Sequence, residues 1–89
     1  MDARERARQE LIETVVGLGH PQEFGVLIAD ELRTEKAMGR MTAYLRNARP
    51  TQLETIADEM LAIIAERDMW VERKISEHAN ATITRFYNR

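Results

Sequence analysis

Two histidines, His20 and His78, and the carboxylates of the C-terminal third are the side chains best suited to chemistry in this chain. A metal site on a helix wants ligands one turn apart, as in a Glu-x-x-His pair. Position 75, three before His78, is Ile; position 74 is Lys, and Glu77 points about 100° away around a helix. His78 therefore reads as a hydrogen-bonded histidine at a core or interface edge, where it would make association pH-sensitive. His20, directly before Pro21, reads as a turn residue. General acid–base catalysis needs two groups aimed at one reacting centre. Asp58 and Glu59 are neighbours around a helix rather than a converging pair, and with Glu66, Asp68 and Glu72 they describe a solvated face. The chain has no cysteine, which excludes disulfides and Cys-based zinc or redox sites. Neither a Gly-rich phosphate loop nor a nucleophile motif is present. The expectation is a protein that is not an enzyme, with no catalytic, cofactor-binding or metal-binding residues.

What remains is surface for partners. Trp70, the only tryptophan, lies to one side of an apolar stripe together with Ile63. It reads first as a packing anchor and second as a hot spot for another protein, a role in which Trp is enriched. Val71, Ile75, His78 and Phe86 continue that stripe. With Trp70 they are the candidate protein interface. Met38, Met41 and Met60 read as core filler rather than as an adaptable groove.

The alternative is a nucleic-acid surface. Arg33, Lys36 and Arg40 would lie along one exposed side of a helix, where phosphates or base edges are met. The stretch "IADELRTEKAMGR", residues 28–40, resembles a helix-turn-helix, with Ile28, Ala29, Leu32, Thr34, Met38 and Arg40 in the pattern's places. The resemblance implies DNA binding through residues 28–47. Two departures stand against it: the turn is one residue short, and Arg33 occupies the position where Gly is common. The net charge of −2 also withholds the nonspecific attraction most such proteins use.

These residues need elements to hold them. Eighty-nine residues make one domain, 1–89, with 1–9 and 80–89 as the stretches able to fray. A hydrophobic fraction of 44%, only four Gly and two Pro, and a predominance of Ala, Leu, Met, Glu and Arg specify an all-α fold of long segments. A first helix over 2–18 places Ala7, Leu11, Val15 and Leu18 on one face, with Ile12 at the edge. "GLGHP" breaks it, Gly17 and Gly19 suiting a C-terminal cap and Pro21 a first helical position. A second helix, 21–33, turns Phe24, Leu27, Ile28 and Leu32 inward. Thr34 N-caps a third with Ala37, Met41, Tyr44, Leu45 and Ala48 inward and Met38 at the margin. The third ends at "RNARP", because a residue before Pro leaves the α region.

Thr51 and Glu54 form a capping box, and neither Gly nor Pro follows before Arg89. Leu53, Ile56, Ala57, Met60, Leu61 and Ile64 share one face. Arg67 and Asp68 interrupt the stripe at the rim of the bundle, and Val71, Ile75, His78, Ala79, Thr82 and Phe86 resume it. A continuous helix there would run ~50 Å at about 1.5 Å per residue, beyond what helices of ~20 Å can cover. The fold expected is thus a small bundle of three short helices and one long C-terminal helix. Two covers suit the surplus stripe: a second copy of the chain, or the tail folded back at a kink near Asp68.

The function expected is a non-enzymatic interaction or structural module, self-associating as a homodimer, with a further protein partner unidentified. The charged N-terminus and the lack of a long apolar run point to a cytoplasmic protein without a membrane span. The stretch "LGHPQEFGVLIADELRTEKAMGRMTAYLRNARP", with "IADEMLAIIAERDMW", is similar to short all-helical proteins of Gram-positive anaerobic bacteria. That resemblance implies a bacterial cytoplasmic origin and supplies no functional residues.

Overall fold

The computed structural model describes residues 2–69, and Trp70, Val71, Ile75, His78 and Phe86 lie outside the described residues. Its elements are helices α1 (Ala3–Gly17), α2 (Gln22–Leu32) and α3 (Glu35–Ala48), followed by α4 over residues 53–69. No strand occurs among the described residues, so the fold is all-α.

Local chemistry sets each boundary. Asp2 Oδ1 accepts from the Glu5 amide at 2.8 Å and opens α1. At the other end Gly19, at φ +95°, reverses the chain. The Gly19 amide donates to Val16 O and the His20 amide to Val15 O, the paired bonds of a Schellman cap. Pro21 sits one position outside α2 as its N-cap rather than within its first turn. Thr34 caps α3 as expected, its Oγ1 accepting from the Ala37 amide at 3.1 Å. Arg49, left-handed at φ 46°, ψ 53°, closes α3 just before Pro50. Helix α4 begins one residue later than the capping box implies. Gln52 precedes it, and Gln52 O accepts from the Ile56 amide at 3.3 Å.

Helix α1 is the hub: it packs against both α2 and α3, which touch each other little. Leu11 and Val15 of α1 meet Ile28, Ala29 and Leu32 of α2 and Met38, Met41 and Leu45 of α3, with Ile56 and Ile63 of α4 completing the core. Three inward assignments need correction. Met38 is central rather than marginal, at 1% exposure, and Ala48 is exposed. Leu27 faces water, because the narrow face α2 presents to α1 is taken by Gly25, Ile28, Ala29 and Leu32.

The inward face of α4 is also rotated from expectation. Ile56 and Ile63 are buried and Met60 is half-buried, whereas Leu53 and Leu61 are 48% and 58% exposed. Ile63 is therefore at the centre of the seam, not to one side. One turn further on stands Arg67, so the supposed break in the stripe is a continuation of the packed face. Its side chain is only 18% exposed, and its guanidinium donates to Glu31 O at 3.1 Å and Leu32 O at 2.6 Å. Helix α2 has no basic residue in its own last turn. Two arginines from elsewhere supply the missing charge, Arg67 and also Arg4, whose Nε donates to Arg33 O at 2.6 Å. Asp68, on the wet side, holds Arg67 at 3.0 Å.

Between α2 and α3 the chain turns in two residues. Arg33 adopts φ 65°, ψ −45°, and the Thr34 amide reaches back to Leu32 O at 2.7 Å, a positive-φ γ-turn that is strained for any L side chain. Glycine would relieve that strain. Arg33→Gly is expected to raise stability by about 1 kcal/mol, or roughly 5 °C in thermal midpoint, since the backbone bonds at this position persist. Arg33→Ala removes the same side chain without relieving the backbone and is expected to gain nothing. Equal melting of the two variants would contradict this account of the turn.

Candidate functional site

The α3–α4 seam carries the cluster of charge that the sequence assigned to nucleic acid. A cleft of about 360 Å³ opens there, lined by Thr34, Lys36, Ala37 and Arg40 of α3's start and by Ile63, Glu66 and Arg67 of α4. Helix α3 places Lys36 and Arg40 one turn apart on the same side, as its period requires. Arg33 belongs to the γ-turn instead.

The cleft's cations are largely engaged within the chain. The Arg40 guanidinium is bound to the Glu66 carboxylate, and that hydrogen bond, with the attraction of the opposite charges, holds Glu66 below the usual carboxylate range and Arg40 above its own. Arg67 is committed to the end of α2 and to Asp68. Of the three nucleic-acid candidates, then, Arg40 is tied to α4 and Arg33 is fixed in a turn. Lys36 remains exposed at the start of α3. Helix α4, which the sequence reading did not place against α3's first turns, lies along the side a recognition helix would need open.

The Arg40–Glu66 pair carries a pH dependence of definite sign. A carboxyl whose pKa falls on folding adds stability above its unfolded value, about 4.5, and that contribution is lost as pH drops through the lowered folded value. Both groups are exposed, so the contribution is small. Glu66→Gln is expected to unfold slightly earlier in urea than the unaltered chain at pH 7, the difference shrinking as pH falls below about 4.5. A difference that does not shrink with falling pH would exclude the pair as its source.

Among the described residues the other titratable groups form no converging constellation. Among the described residues no three His, Asp or Glu side chains come together as metal ligands. His20 rests on the α1–α2 turn with its ring edge toward Phe24, the centroids 6.0 Å apart, and its Nε2 is buried without a hydrogen-bond partner. Ion pairs Arg8–Asp30 (2.7 Å) and Arg46–Glu10 (3.2 Å) tie α1 to its two neighbours across the surface. None of the described helices is long and apolar enough to cross a membrane.

A second surface was not anticipated from the sequence. With Ile56, Met60, Ile63 and Arg67 turned inward, the opposite side of α4 carries Leu61, Ala62, Ala65 and Met69, all exposed, the last at 63%. The signal was present in "MLAIIA", residues 60–65, six apolar residues in a row that no single face of a helix can bury.

The class defined by these features is a small all-α globule whose last described helix is apolar on two sides. No protein-family model, curated protein or solved structure matches the chain.

Proposed function

We propose that this protein is a non-enzymatic interaction module that self-associates through α4 and the residues following it. The observation that carries the reading is the exposed apolar side of α4. The helix already satisfies its own core through Ile56 and Ile63, yet presents Leu61 and Met69 to water. Contiguous exposed apolar surface of this kind marks contact sites. Val71, Ile75 and Phe86 extend the apolar pattern in sequence, with Trp70 and His78 beside them. Light scattering tests the reading. The full chain is expected to show the mass of two chains at micromolar concentration, and Val71→Glu with Ile75→Glu the mass of one. A single-chain mass for the unaltered protein would overturn it.

The nucleic-acid alternative draws support from the Thr34 cap and from the tight turn before α3. Against it stand the engagement of Arg40 by Glu66, the position of α4 along α3, and the slight contact between α2 and α3. It would require salt-sensitive duplex binding that weakens when Arg33, Lys36 and Arg40 become alanine.

A further inference from the structure

The α3–α4 cleft lies on the inward side of α4, opposite the contact surface proposed above. Ala37 and Ile63, both buried, form its floor. Its lining is mainly carbon although four of its seven residues are charged, because the stems of Lys36, Arg40 and Arg67 supply the walls. Those three cations stand against one lining carboxylate, Glu66, so the cleft is positive in a chain whose net charge is −2.

Two of the cations retain donors. Lys36 pairs with no described carboxylate. Arg40 meets Glu66 through Nη1 alone, which leaves its Nε and Nη2 without an acceptor among the described residues. Lys36 and Arg40 stand one turn apart on α3, so both can reach a single anionic group at the rim. Arg67, by contrast, is committed to the end of α2 and to Asp68. We infer that this cleft binds a small amphiphilic monoanion, its carboxylate between Lys36 and Arg40 and its apolar body on Ala37 and Ile63. One charge is the fit: with Glu66 set against Arg40 and Asp68 against Arg67, Lys36 is the cation left over. A polyanion would meet those same two carboxylates as repulsion. The volume, about 360 Å³, is at the lower end for ligand pockets and admits about a dozen non-hydrogen atoms at roughly 30 Å³ each.

Phenylbutyrate, an apolar body of that size with one carboxylate, is the probe, and the amide chemical shifts of the full chain are the readout. Saturable shifts are expected at residues 34–40 and 63–67, with a dissociation constant of about 1 mM. The neutral phenylbutyramide, of the same shape, should bind about fivefold more weakly, and Lys36→Gln should weaken phenylbutyrate by about the same factor. Glu66→Gln should tighten it about twofold, because the carboxylate competing for Arg40 is gone. Lys36 and Glu66 are both exposed, so helix content should be unchanged in either variant. Shifts that do not saturate by about ten times that concentration overturn the assignment. So do shifts centred on Leu61, Ala65 and Met69, or equal binding of acid and amide. Each of these results stands whether the chain is single or paired in solution, so the self-association reading is judged separately by mass.

Discussion

Gly25→Val is expected to cost about 3 kcal/mol. At this position α1 and α2 approach so closely that a Cβ would lie 3.1 Å from Ile12 Cα and 3.4 Å from Val15 Cβ. The first of these is backbone, which cannot swing aside as a side chain can. Two further methyls would force the helices apart along the seam that seats Leu11, Val15 and Ile28. Overpacking of this sort costs about 1–3 kcal/mol, and a β-branched residue adds steric restriction within the helix. A chain of this length has about three times that in total, at roughly 0.1 kcal/mol per residue. Gly25→Ala is a different experiment. Its single methyl meets the same tight contact, but Ala improves helix propensity by about 1 kcal/mol, so the two effects nearly cancel. Urea unfolding should therefore place Gly25→Ala near the unaltered chain and Gly25→Val far below it. Similar midpoints for all three would show that the helices do not cross at Gly25.

Arg67→Met is expected to lose about 2 kcal/mol. The change keeps an apolar stem of similar reach and removes only the guanidinium. Two carbonyls at the end of α2, Glu31 O and Leu32 O, then lose a charged donor in a partly buried setting, and hydrogen bonds to charged groups contribute about 1.5–3 kcal/mol. Arg67→Lys should recover only part of this: both carbonyl bonds come from Nη1, one bond beyond the reach of a lysine ammonium, and lysine has no further nitrogens to hold Asp68 as Nε and Nη2 do. Asp68→Asn, which merely frees the wet partner, should change stability by less than ~0.5 kcal/mol. If Arg67→Met unfolds at the same urea concentration as the unaltered chain, the guanidinium is not what anchors α4 to α2.

These two residues also mark where sequence reasoning succeeds and where it stops. Periodicity, caps and breakers place the four helices within a residue or two, since Thr34, "GLGH" and Pro50 act through local backbone chemistry. The inward faces of α1 and α3 follow from the same periodicity with small errors. Gly25 looked like an ordinary helix residue, because nothing in a sequence states which helix crosses it. Arg67 misled for a related reason. A charge in an apolar stripe reads as a break, but its meaning depends on whether carbonyl acceptors lie within reach, and those belong to α2, some thirty-five positions earlier. Taking Arg67 as outward also rotated the assigned face of α4, and so placed Leu53 and Leu61 inside when they face water. The charged trio Arg33, Lys36 and Arg40 was legible as a cluster. Its engagement was not, because Glu66 comes from another helix. The outer apolar side of α4 emerges only once its inner side is known.

Sedimentation equilibrium of the full chain across micromolar concentrations, beside the Leu61→Glu, Met69→Glu variant, tests most directly whether this side of α4 is a contact surface. Both substituted residues are more than half exposed, so the folded single chain should tolerate the change. The account expects the unaltered protein to reach the mass of two chains and the variant to remain at one, with the same helix content. A variant that pairs as tightly as the original, or an original that never pairs, would contradict it.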